Sequence, residues 1–252
     1  MSFDYSVHKL TGSVQHYSWG GTTFLPRLLN IENPNHAPFA EYWLGVHSGG
    51  PSSIEVNKQP ILLSDAIASD PKAALSAPIF NHFGGLPYLF KVLDVKDMLS
   101  IQVHPTKEYA KVAFEKEEAA GIPLNAANRN YKDRNHKPEI MLAMSEFWLL
   151  HGFKSEAKIL ETLENSAEFQ VLIPLYKSDG LAGLYTFLME MEQAQVDSLL
   201  GPVVKRALRN KQDGKLNKQS PDWWVAKMYE HSNGIYPIDK GVFSIYLFNI
   251  VC

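Results

Sequence analysis

The chain has little cysteine, no surplus of either charge and no long apolar run. Of its 252 residues only Cys252 is a cysteine, so no intramolecular disulfide can form and the fold must rest on packing. That fits a reducing compartment. Lysine and arginine number 24 against 27 acids, a net charge of −3, which excludes bulk attraction to nucleic acid or anionic lipid. An anionic ligand would need a local basic site. The most apolar stretch, 140–153, is broken by Ser145 and Glu146 and is too short to span a bilayer. Residues Met1 to Leu10 lack the apolar core of a secretory signal. We therefore expect a cytoplasmic, soluble chain with no membrane or nucleic-acid partner. What remains, 45% hydrophobic and 20% charged residues, describes an ordinary globular chain with enough length for one large domain or two small ones.

Residues 1–100 are rich in glycine, proline and aromatics. Gly20-Gly21, Gly49-Gly50-Pro51 and Gly84-Gly85-Leu86-Pro87 punctuate the chain as turns. Between them 41–46, 53–56 and 88–95 are short and apolar enough for strands, which suggests a sandwich or barrel of antiparallel sheet. The character changes at 105–121. Pro105 suits a first helical turn, Lys111 and Glu115 are four apart, and Gly121 can close the helix. Residues 122–135 read as loop, and 139–150 as a return to strand. From 155 to about 231 the spacing is helical: Ile159 with Leu163, Leu181 with Leu184 and Leu188, Val203 with Val204 and Ala207. Ser220-Pro221-Asp222 is a strong helix start and Asn233-Gly234 an expected end. Residues 241–251 look like strand again. The pattern is a β framework carrying an inserted helical block, which could be a lid or simply a packing element.

Two short segments carry chemistry. In Ser100-Ile101-Gln102-Val103-His104 a strand would turn Ser100, Gln102 and His104 to one face and Ile101 and Val103 to the other. In His136-Lys137-Pro138-Glu139 the same rule puts Lys137 with Glu139, and His136 opposite. An amide oxygen, an imidazole and a carboxylate, from Gln102, His104 and Glu139, are donors of the kind zinc takes. One formal negative charge in that set would leave the metal a strong Lewis acid, suited to a developing oxyanion. A cation near Lys137 would favour the neutral amine, the form that accepts a proton. Taken singly, a lone His or Glu is more often a core or solvated residue. Arg129, Lys132 and Arg134 could meet a phosphate, and a solvated loop explains them equally well.

At these residues the chain resembles the type I mannose-6-phosphate (phosphomannose) isomerases, a zinc-dependent cupin family. Six ordered segments carry the likeness: Tyr17-Ser-Trp19-Gly20-Gly21, Ala40-Glu41-Tyr-Trp43-Leu-Gly45-Val-His47-Ser48, and Leu86-Pro87-Tyr-Leu-Phe90-Lys91-Val-Leu93. Leu99-Ser100-Ile-Gln102-Val-His104-Pro105, Asn135-His136-Lys137-Pro138-Glu139 and Tyr236-Pro237-Ile-Asp239-Lys-Gly241-Val-Phe243 complete them. Any one alone would be weak; together they span almost the whole chain.

The resemblance implies interconversion of mannose 6-phosphate and fructose 6-phosphate by C1–C2 proton transfer through a cis-enediol. It implies one Zn2+ per chain on Gln102, His104 and Glu139, with a fourth, histidine ligand expected beyond residue 252. It implies Lys137 for proton transfer, Lys91 as an electrostatic or relay partner, Ser100 in substrate contact, and His136 at the site but on the opposite strand face. The small-molecule partner would be a sugar phosphate, and a monomer is expected. The implied fold is mainly β with inserted α: a cupin-type β-barrel or jelly roll carrying an α-helical domain, with the second jelly roll missing. The corresponding domains are 1–153 (cupin catalytic part), 154–232 (helical) and 233–252 (a return to the β domain, incomplete). Two rivals stand beside this reading. One is a catalytically inactive zinc- or sugar-binding fragment. The other is an Fe(II) cupin oxygenase, which would want a second histidine where Gln102 stands, with His47 or His151 as candidates to complete it.

Overall fold

The computed structural model describes residues 7–99 and 101–252. The chain divides into two compact units, 1–99 and 100–252.

The first unit is built on two small antiparallel sheets. Its elements run β1 (Leu10–Thr11), β2 (Ser13–Gln15), α1 (Phe24–Leu29), β3 (Glu41–Leu44), β4 (Ser53–Val56), β5 (Gln59–Leu62), α2 (Leu63–Ser69), α3 (Pro71–Leu75), α4 (Ala77–Phe83) and β6 (Phe90–Leu93). One sheet has the order β1-β4-β5 and the other β2-β3-β6. Asn57 and Lys58, both left-handed at φ 50° and 64°, close the tight β4–β5 hairpin, a conformation its right-handed strand twist favours. In the second sheet β3 is central, with Trp43 paired across to Ser13 on one side and Lys91 on the other. The three helices between β5 and β6 fall where the sequence reading assigns none. Their start signals are nevertheless local: Asp70 accepts a hydrogen bond from the Ala73 N–H at 3.1 Å, with Pro71 at the first position.

The second unit opens with α5 (Lys107–Ala119), whose N-cap Thr106 accepts from the Tyr109 N–H at 3.2 Å. It continues with β7 (Leu149–Phe153), α6 (Glu156–Glu164), α7 (Ile173–Glu190), α8 (Gln193–Gln212), α9 (Pro221–Tyr229), α10 (Gly241–Leu247) and β8 (Phe248–Val251). The expected helical block is present: α6 to α9 bury Ile159, Leu163, Leu184, Val196, Val204 and Val225 completely or nearly so. α7 breaks at Gly180, φ 65° and ψ −166°, a combination open in practice only to glycine. No helix among the described residues is long and apolar enough to cross a membrane.

Three expectations need correction. Residues 241–251 are not one strand; 241–247 form α10, buried throughout from Val242 to Leu247, and only β8 is extended. The last helix of the block ends at Tyr229 rather than at Asn233-Gly234. Residues 101–104 and 139–148 are not strands, and the second run becomes β only at Leu149. A strand needs a neighbour to take its N–H and C=O groups, and β7 finds one in β8. Among the described residues the result is short, separate sheets beside much helix.

Candidate active site

In the first unit Lys91 lies in β6, opposite Trp43 of β3. Directly opposed residues share a face, so Lys91 and Trp43 point the same way, and Glu41, two residues from Trp43, joins them. The contacts agree. The Lys91 ammonium is 3.4 Å from Glu41 Oε2 and 5.1 Å from the centre of the Trp43 ring. The Trp43 indole N–H donates to that same carboxylate oxygen. Glu41 is only 8% exposed, and a carboxylate so far from water needs such partners. Burial, and then the Glu41 charge, push the Tyr17 phenol above its ordinary range. The sequence reading singled out Lys91 but not this cluster. Alternation along β3 was enough to pair Glu41 with Trp43; joining Lys91 to them required the strand register.

In the second unit Gln102 and His104 lie on irregular backbone just before α5, and His136, Lys137 and Glu139 on irregular backbone after the 122–135 loop. All five are exposed. So are the apolar residues that alternate with them, Val103 at 89% and Ile140 at 101%. Ile101 alone in these two segments is half-buried among the described residues. The expected sorting into a cavity face and a core face is therefore not realised here, because it needs a sheet to pack against. Ser100 lies outside the described residues. His136 is near the start of α5. The Glu108 carboxyl there is held below its ordinary range by its own backbone N–H, then by Thr106, with His136 among the charges that help.

Gln102, His104 and Glu139 supply oxygen and nitrogen donors that suit zinc. Among the described residues no three His, Cys, Asp or Glu side chains are grouped so as to hold a metal ion. The donor chemistry of Gln102, His104 and Glu139 fits zinc.

One residue of the basic loop, Arg129, has a structural role. Arg129 is buried, donating to the Ile122 and Tyr131 carbonyls at 2.6 Å each and to Glu118 at 2.8 Å. Its Nε also lies 3.0 Å from Glu117. Glu117 in turn accepts from the Asn130 and Tyr131 N–H groups, and Arg129 and Arg134 both stack on Phe114. Arg129 thus clips the loop to α5, its side chain fully buried and so turned away from any phosphate in solution.

The model of the phosphomannose isomerase type I catalytic domain matches residues 7–156. A mannose-6-phosphate isomerase of Salmonella typhimurium is 38% identical over 250 residues, covering 97% of this chain and 61% of that protein. The Homo sapiens mannose-6-phosphate isomerase is 32% identical, covering 97% of this chain and 60% of its own length. A crystal structure of the Salmonella typhimurium enzyme bound to substrate and zinc superimposes with a TM-score of 0.80 at 37% identity, over 97% of this chain and 60% of that one. This chain therefore spans about three fifths of the length of these relatives. With the catalytic-domain model matching more than half of its residues, the chain belongs to the type I phosphomannose isomerase family.

Proposed function

We propose that this chain carries the catalytic part of a zinc-dependent aldose–ketose isomerase acting on mannose 6-phosphate and fructose 6-phosphate. The carrying observation is the catalytic-domain match over 7–156, which includes Lys91, Ser100, Gln102, His104, His136, Lys137 and Glu139. A relative of similar sequence has been crystallised with substrate and zinc. On this reading Gln102, His104 and Glu139 would hold one Zn2+. Bound there, zinc would supply Lewis-acid stabilisation of negative charge on the sugar oxygens. Lys137, as the free amine, takes the C2 proton of the open-chain aldose and returns it at C1, while a proton moves between O1 and O2. Lys91 contributes a fixed positive charge, and Ser100 and His136 contact the substrate. The enclosing fold would be the cupin jelly roll with its helical insertion, domains dividing at 153 and 232, in a cytoplasmic monomer.

A coupled assay with mannose 6-phosphate, run beside metal analysis of the purified chain, tests this. Turnover abolished by a chelator and restored by zinc is the expected result. Bound zinc without turnover, or neither, would favour the second reading, a catalytically inactive binding fragment. The exposure of Gln102, His104, Lys137 and Glu139 on irregular backbone is the observation on that side.

A further inference from the structure

We infer that Glu41 and Trp43 are positioning residues for Lys91, a role that deepens the isomerase reading and rests on it for its catalytic meaning. A lysine in a strand normally swings its four-carbon stem through many rotamers. Lys91 is instead bounded on two sides, by the Glu41 carboxylate at 3.4 Å and by the face of Trp43 at 5.1 Å. Both distances are within the range of a real ion pair and a real cation–π contact.

The clamp is itself held. Glu41 and Trp43 are locked to each other, because the indole N–H and the ammonium meet on one oxygen, Oε2. Trp43 is 8% exposed, with the His47 ring edge-on at 4.8 Å. A Cβ at Gly50 would come within 3.0 Å of the Trp43 ring, so only a glycine lets the loop pass this close to the indole. β3 has β2 on one side and β6 on the other. A one-residue slip of β6 against β3 would turn Lys91 to the face opposite Glu41 and Trp43. Ordering of the Lys91 ammonium is thus completed during folding rather than at substrate binding, the condition under which a charged group contributes most to a rate. Neither Glu41 nor Trp43 need touch the reacting atoms.

Two measurements test this. Lysine 13Cε relaxation on the purified chain, with Lys91 assigned from Lys91→Arg, should give Lys91 a clearly higher order parameter than exposed Lys72. Glu41→Gln should bring it down to the value of exposed Lys72. Trp43→Phe, which keeps a ring but loses the N–H, should give an intermediate value, and it serves if Glu41→Gln fails to fold. In the isomerase assay Glu41→Gln should lower kcat by about tenfold or more with KM changed less than about threefold, and Glu41→Asp should recover part of the loss. Adding Glu41→Gln to Lys91→Ala should lower the rate no further. A mobile Lys91 in the native chain, an unchanged order parameter in folded Glu41→Gln, or a loss confined to KM would overturn the inference. If no form turns over, it is the isomerase reading that fails, and the relaxation measurement still decides whether the clamp exists.

Discussion

Tyr246→Phe should lower stability by about 2 kcal/mol, and the structure says where that comes from. Tyr246, in α10, is 5% exposed, and its hydroxyl donates to Asp222 Oδ1 of α9 at 2.6 Å. Arg206 of α8 sits 3.5 Å from the other oxygen of Asp222 and also pairs with Glu168, which accepts from Ser166 Oγ at 2.8 Å. Three helices, α8, α9 and α10, and the turn after α6 therefore meet in one polar cluster. Phenylalanine keeps the ring, including its edge contact with Phe169 at 5.0 Å, and removes only the oxygen. A hydrogen bond to a charged acceptor contributes about 1.5–3 kcal/mol. Asp222 retains Arg206, so its carboxylate is not orphaned and the upper end is not reached. At about 2–4 °C per kcal/mol for a chain of this size, thermal unfolding followed by circular dichroism should shift down by about 4–8 °C. The cost should largely vanish in an Asp222→Asn background, a coupling of at least about 1 kcal/mol. A cooperative melt displaced by less than about 1 °C, or equal costs in both backgrounds, would refute the argument.

The same group sets a pH dependence. Burial, then the Asp222 charge and hydrogen bond, push the Tyr246 phenol far above its ordinary range. The folded chain thus keeps a proton that the unfolded chain releases near about pH 10. Stability from this group is complete below that pH and falls as pH rises beyond it. Tyr246→Phe should flatten that alkaline slope.

Other outcomes follow from the site and its surroundings. Gln102→Ala, His104→Ala and Glu139→Ala should each lower zinc content and activity; full metal occupancy in all three would remove the proposed ligand set. Lys137→Ala should keep zinc and lose most turnover, and a near-native rate would take lysine out of proton transfer. Arg129→Met should free the 122–135 loop from α5, read as faster amide exchange at Asn130 and Tyr131, whose N–H groups bond Glu117. Unchanged exchange there would show that Glu117 holds the loop unaided.

Much of the helical part was legible along the chain. α5 begins just past Pro105, α6 to α9 lie in 155–231, and α9 starts at Pro221 as the Ser-Pro-Asp signal indicates. Helices are written in local spacing and local caps, so neighbours in sequence suffice. Strands 53–56, 41–44 and 90–93 were also visible, bounded by turns. The three helices between 63 and 83 were missed because their short, mixed spacing gives little periodicity, although Asp70-Pro71 and Ser76-Ala77-Pro78 marked their starts.

By itself the sequence determined the family, through six ordered segments, and with it the identity of the candidate ligands and lysines. Those are statements about residue type and order. Only the tertiary structure decided which of them meet. It joined Glu41 and Trp43 to Lys91 through a strand register that spans some fifty residues, and withdrew Arg129 into a structural clip. It left 101–104 and 139–148 outside any sheet, with Val103 and Ile140 in solvent. Alternation marks the two faces of a segment, but whether a face is buried depends on a partner strand elsewhere in space.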